Sequence, residues 1–126
     1  MRAIEKSGKK VVLVSSHSLS HRHFVTESPL PEDMSREHIY NHSQYVWDMK
    51  IIDMFRKGQM QEVVDIMPEY TEQTIAETEA GGLIWMMAAM GIPSYPAEIY
   101  GYQSVIGTGN CIACWDPNTQ TRELVL

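Results

Sequence analysis

The chain has 126 residues, 44% of them hydrophobic and 21% charged, with a formal net charge of −6. This is ordinary composition for one globular unit, so residues 1–126 are read as a single segment, and the acidic balance argues against nucleic acid or an anionic membrane as partner. No apolar run reaches the length of a membrane span, Met1-Arg2-Ala3-Ile4-Glu5-Lys6 lacks the apolar stretch of a signal peptide, and two cysteines are too few for a disulfide scaffold, so a soluble cytoplasmic protein is expected.

Arg2 to Lys6 reads as the last turn of a helix, with Gly8 as its left-handed stop. A helix that starts at the first methionine and ends within two turns is what a cut inside a longer helix would look like. Val11-Val12-Leu13-Val14 follows, a short β-branched run between Lys9-Lys10 and Ser15-Ser16, and reads as a buried strand. The chain then enters a loop rich in serine and histidine, Ser15 to His23. In an open α/β sheet the carboxyl end of a strand is where ligands bind. Pro29 and Pro31 make Phe24 to Met34 an extended connection.

Asn41-x-x-Gln44 is a capping pair before a helix over Tyr45 to Lys57, with Tyr45, Met49, Ile52 and Phe55 at helical spacing and Gly58 at its end. Gln59 to Met67 predicts a short second helix stopped by Pro68. Glu69 to Met90 is mostly strong helix former. The adjacent Gly81-Gly82 costs about 2 kcal/mol relative to alanines, which signals either a break or a close approach to another element. Gly91 and Pro93 end the stretch. Glu98 to Ile106 and Cys111 to Trp115 read as two strands joined by a turn at Gly107-Thr108-Gly109-Asn110. Thr119 to Leu126 has no assignment. The fold class expected from this order is α/β, a central strand with helices and a terminal β-hairpin.

Histidine and glutamate are the residues with chemistry to offer. An imidazole titrates near neutral pH and can move protons, and His17, His21 and His23 lie together in the loop. His38 and His42 read as helix-flank or surface residues, and the five histidines match no complete metal-ligand spacing. Glu77 and Glu79 lie about 200° apart around a helix axis, so only one can face a given site. Glu77 shares a face with Gly81 and Trp85, Glu79 with Leu83 and Met86, and periodicity favours neither. Cys111 and Cys114 have CxxC spacing, but a strand places them on opposite faces, which suits two small strand residues better than a redox pair.

Ser16-His17-Ser18-Leu19-Ser20-His21-Arg22-His23-Phe24, Pro31-Glu32-Asp33-Met34-Ser35, Tyr45-Val46-Trp47-Asp48, Ala76-Glu77, Trp85-Met86-Met87-Ala88-Ala89-Met90, Gly101-Tyr102, Val105 to Asn110 and Trp115-Asp116 resemble, in that order, the second half of a class III extradiol ring-cleavage dioxygenase. The resemblance covers nearly the whole chain and implies the carboxy-terminal part of that family's α/β catalytic domain. It implies non-haem Fe(II) held by two histidines and one carboxylate, with no organic cofactor. Both histidine ligands would come from an upstream portion outside this chain, and the carboxylate falls on Glu77. His21 matches the acid–base histidine, which takes a proton from the ring hydroxyl and later returns one. His23 is either a neighbour hydrogen-bonding to His21 or substrate, or a partly exposed loop residue. His17 carries no role, and the cysteine pair departs from the family pattern. The implied reaction is cleavage of a catechol or 2-aminophenol type ring with O₂, in a homo-oligomer or a hetero-oligomer with a related subunit. This chain alone would be inactive. The alternative is a non-catalytic subunit or truncated remnant that serves as a structural partner, and two histidines upstream of Met1 would separate the readings.

Overall fold

The computed structural model describes residues 2–22 and 38–118. His23, the proline-containing connection and the tail from Thr119 lie outside the described residues. The elements in order are α1 (Arg2–Ser7), α2 (His42–Lys57), α3 (Met60–Thr74), a 3₁₀ turn (Glu77–Ala80), α4 (Gly81–Met90), β1 (Glu98–Val105) and β2 (Thr108–Cys114). The described architecture is thus mixed, four α-helices and an antiparallel hairpin.

α2 begins where the capping pair places it. The Asn41 side chain accepts from the Gln44 amide at 2.9 Å, and Gly58, at φ 69°, closes the helix by donating to Met54 and Phe55 carbonyls. Its buried face is rotated from the one that spacing predicts. Gln44, Asp48, Ile51, Ile52 and Phe55 are buried, whereas Tyr45 is exposed. A strip chosen by apolarity alone therefore misses a helix that buries an amide and a carboxylate.

α3 does not stop at Pro68 but runs through it to Thr74. A proline inside a helix costs about 3 kcal/mol. Here the turns on both sides bury Val63, Met67, Tyr70 and Thr74. Burying large side chains is worth about 1.5–3 kcal/mol each, so tertiary packing outweighs the lost hydrogen bond. The interruption expected near Gly81-Gly82 falls just before them. Ile75, Thr78, Glu79 and Ala80 all take positive φ, between 50° and 56°, and α4 starts at Gly81. Gly82 also meets the second expectation of a close approach, since a Cβ there would lie 2.7 Å from Ser15 Oγ and 3.0 Å from His17 Nδ1.

β1 and β2 pair antiparallel, with Tyr102 opposite Cys111 and Val105 opposite Thr108, and a bulge between Ile99 and Gly101. The turn is tighter than the four residues expected. Ile106 and Gly107 alone make it, both at positive φ, as a two-residue hairpin of the primed type requires. Ala97 donates to the Phe55 carbonyl at 2.8 Å and ties the start of β1 to the end of α2. Phe55 and Trp115 pack edge to face with centroids 5.0 Å apart, in a core with Ile51, Met60, Val63, Tyr70, Leu83 and Met87.

The expected central strand is corrected. Residues 10–18 are irregular, and the described sheet has only two strands, β1 and β2. A strand exists by virtue of its ladder, and Val11 to Val14 have no ladder partner among the described residues. The three valines lie exposed instead, Val12 at 86% and Val14 at 77%, and Leu13 is half-buried.

Candidate functional site

The stretch Ser18 to His21 is fixed by its backbone. Ser18 N–H donates to Glu77 Oε2 at 2.5 Å and Leu19 N–H to the Gly109 carbonyl at 2.8 Å. Ser20 N–H donates to Asp48 Oδ1 at 3.1 Å and His21 N–H to the Thr74 carbonyl at 3.3 Å. Consecutive amides thus anchor on the 3₁₀ turn, β2, α2 and the end of α3. Gly109 N–H also donates back to the Ser20 carbonyl at 2.9 Å. Ser18, Leu19 and Ser20 are buried as a result, in a polar segment that would otherwise stay in water.

The strained turn places Glu77. Three successive non-glycine residues in the left-handed region, Thr78, Glu79 and Ala80, cost about 1–2 kcal/mol each. They break the helical path, so the wheel that set Glu77 and Glu79 on opposite faces does not apply. Glu77 turns to the Ser18–His21 segment, with Oε2 3.8 Å from His21 Nδ1. Glu79 lines a separate groove with Val64, Met67, Pro68 and Glu72. The Ser18 amide, aided by the nearby His21 and His17, holds the Glu77 carboxyl below its usual pKa against a smaller effect of burial. Its side chain is about one-third exposed, at 35%. His17 packs beside Gly82 with its Nδ1 3.0 Å from Ser15 Oγ. Burial pushes its pKa down, and Glu77 opposes that.

Among the described residues no three His, Cys, Asp or Glu side chains converge on one point that could hold a metal ion. The donor present is an ionised, partly exposed carboxylate at Glu77. Its chemistry fits one anionic position of an oxygen- and nitrogen-ligated Fe(II). Cys111 and Cys114 are free, one half-buried and the other exposed. Burial pushes the Cys111 thiol up to about 11, the opposite of a reactive thiolate.

Composition and spacing give no hint of Asp48. It is fully buried on α2 and accepts from Ser20 N–H and Tyr70 OH at Oδ1, and from Ser20 Oγ–H and Tyr102 OH at Oδ2, at 2.6–3.1 Å. Burial raises its pKa, and the hydrogen bonds from Tyr102, Ser20 and Tyr70 only partly offset that. Gly109 makes the junction possible, because a Cβ there would collide with the Asp48 carboxylate, Tyr102 OH and Ser20 Oγ.

Residues 1–112 match the family described as the catalytic LigB subunit of aromatic ring-opening dioxygenase, and the chain belongs to that family. It is 48% identical over 114 residues to the 2-aminophenol 1,6-dioxygenase beta subunit of a Pseudomonas species, an alignment covering 90% of this chain and 37% of that protein. It is 25% identical over 100 residues to the 3,4-dihydroxyphenylacetate 2,3-dioxygenase of Escherichia coli, covering 79% of this chain and 35% of that one. The chain therefore spans little more than a third of the length of these curated relatives. No helix among the described residues is long and apolar enough to cross a membrane.

Proposed function

We propose that this chain is part of a non-haem Fe(II) dioxygenase that opens the ring of a catechol or 2-aminophenol type substrate with O₂. Glu77 supplies the carboxylate ligand and His21 the acid–base group, and the remaining ligands come from protein outside residues 1–126. The observation that carries this reading is the pairing of His21 with Glu77, 3.8 Å apart, on the segment whose backbone four separate parts of the fold hold. Bound Fe(II) would hold ring and O₂ together and relay electrons between a singlet and a triplet reactant. His21 takes the proton of the ring hydroxyl and later returns one. With Nδ1 turned toward Glu77, the exchange runs through Nε2. The Ser18 amide donates to Glu77 Oε2 and favours the ionised form of the carboxylate that would hold the metal. His23 lies outside the described residues, and its role beside His21 or substrate stays part of the proposal. A relative that is a beta subunit supports assembly with a further, related subunit.

The test is His21→Phe in the protein assembled with its remaining ligands. Iron is retained at wild-type stoichiometry and the aromatic substrate still binds, while single-turnover ring cleavage slows by about 10²–10⁴-fold, the range of a general acid–base group. Loss of iron would make His21 a ligand, and unchanged cleavage would remove it from the chemistry.

A further inference from the structure

We propose that Asp48 is a positioning residue, which holds Ser20 by backbone and side chain together and so keeps His21 and Ser18, on either side of it, against Glu77. Ser20 is the pivot of the Ser18–His21 segment. It is fully buried and spends its N–H and its hydroxyl on the two oxygens of one carboxylate, at 3.1 and 2.7 Å. The carboxylate cannot rotate to follow a moving loop, because Tyr70 from α3 and Tyr102 from β1 donate to the same oxygens at 2.8 and 2.6 Å. The clamp therefore refers the segment to α2, α3 and β1 at once. One residue before Ser20 the chain is tied to Gly109 and one residue after it to Thr74. His21 leaves the clamp one peptide unit later and Ser18 enters it two units earlier, so the Ser18–Glu77 bond and the His21–Glu77 approach are both set from Ser20. A carboxylate buried only to fill space would be replaced without loss by an isosteric apolar group. Asp48 instead accepts four hydrogen bonds, two from Ser20, one from Tyr70 of α3 and one from Tyr102 of β1.

The inference rests on the reading of His21 given above, and its test uses neither metal nor substrate, so the two fail separately. Hydrogen exchange read by mass spectrometry on the 126-residue chain compares the peptide Leu13–Arg22 with peptides from α3 and α4 in three variants. Asp48→Leu has nearly the same shape and no acceptor. In it the Leu13–Arg22 amides exchange about 10–100-fold faster relative to those of α3 and α4, the effect of removing two bonds to Ser20. Asp48→Asn rescues to within about 3-fold, because its carbonyl still accepts from Ser20 N–H and Tyr70 while its amide donates to two hydroxyl oxygens. Ser20→Ala removes one bond and no apolar contact, and it raises exchange in the same peptide by about 3–10-fold even if Asp48→Leu does not fold. Equal exchange in the Leu and Asn variants overturns the inference. So does a rise of equal size in every peptide, or no change in Ser20→Ala.

Discussion

Two carboxyl groups flank Ser18 to Ser20, and the fold shifts them in opposite directions. Glu77 is partly exposed and takes a hydrogen bond from a backbone amide, so its ionised form is favoured. Asp48 has four hydrogen-bond donors, yet its burial outweighs them and raises its pKa. An acid whose pKa is raised on folding stabilises the fold fully below its unfolded value, near 4, and loses that contribution as pH rises through the folded value. Glu77 and His17, whose pKa values are lowered, act in the opposite sense, so urea unfolding across this range is expected to show the decline as a difference, with Asp48→Asn removing a downward component from the pH slope of the parent chain. A slope unchanged in the variant would assign the decline to other groups. The glutamates separate by location in the same way. In the protein assembled with its remaining ligands, Glu77→Ala is expected to lose iron and Glu79→Ala to keep it, because Glu79 faces Pro68 and Glu72 rather than the histidine segment. Metal analysis of both variants decides, and the reverse result moves the ligand to Glu79.

At the scale of elements, the glycines divide by what surrounds them. A Cβ at Gly109 would strike Asp48, Tyr102 and Ser20, whereas one at Gly81 meets only Thr78 Oγ1 at 3.8 Å. Gly109→Ala should therefore lower stability by about 2 kcal/mol or more through overpacking. Gly81→Ala, at helical φ, should raise it by about 0.5–1 kcal/mol through helix propensity. Thermal unfolding of the two variants measures both, and opposite signs are expected. The same contrast shows which elements the sequence made legible. Helix ends governed by local chemistry, such as the Asn41 cap, the Gly58 stop and the Gly91 stop, stand where their residues predict. The course of α3 through Pro68 does not, because propensity yields there to burial of Met67, Tyr70 and Thr74. Nothing in Ile75, Thr78, Glu79 or Ala80 announces left-handed backbone, so the break that sends Glu77 and Glu79 apart is invisible until tertiary contacts are known. Asp48 and Tyr102 belong to stretches that carry the family resemblance, but only their distances explain why those residue types stand there. The choice of His21 and of Glu77 as candidate residues comes from that resemblance, since periodicity leaves Glu79 as good a choice, and their approach to 3.8 Å shows only in the structure.

At the scale of the whole molecule, the apolar segment from Val11 to Val14 is poorly matched to water among the described residues. Val11, Val12 and Val14 are exposed at 46, 86 and 77%, and Trp85 and Ile112 add exposed apolar area on other elements. Val11 to Val14 make no backbone hydrogen bond to the described residues, and such groups beside exposed apolar side chains invite another strand. The 126-residue chain is therefore expected to self-associate with rising concentration, and a Val12→Lys, Val14→Lys double variant to shift sedimentation toward monomer. A sharply melting monomer at all concentrations would count against this. The Asp48 junction has a further consequence, in the order of events during folding. Its bonds join residues 22, 28 and 54 positions apart. Each closure of that size costs loop entropy before any contact rewards it, so the junction should complete late, after α2 and α3 have formed and packed. Ser20→Ala and Tyr102→Phe, each of which removes one bond of the junction, should then leave the refolding rate nearly unchanged and speed unfolding, because interactions made after the transition state act on escape from the native basin. The His21–Glu77 site would in that case be the last part of the chain to assemble and the first to come apart.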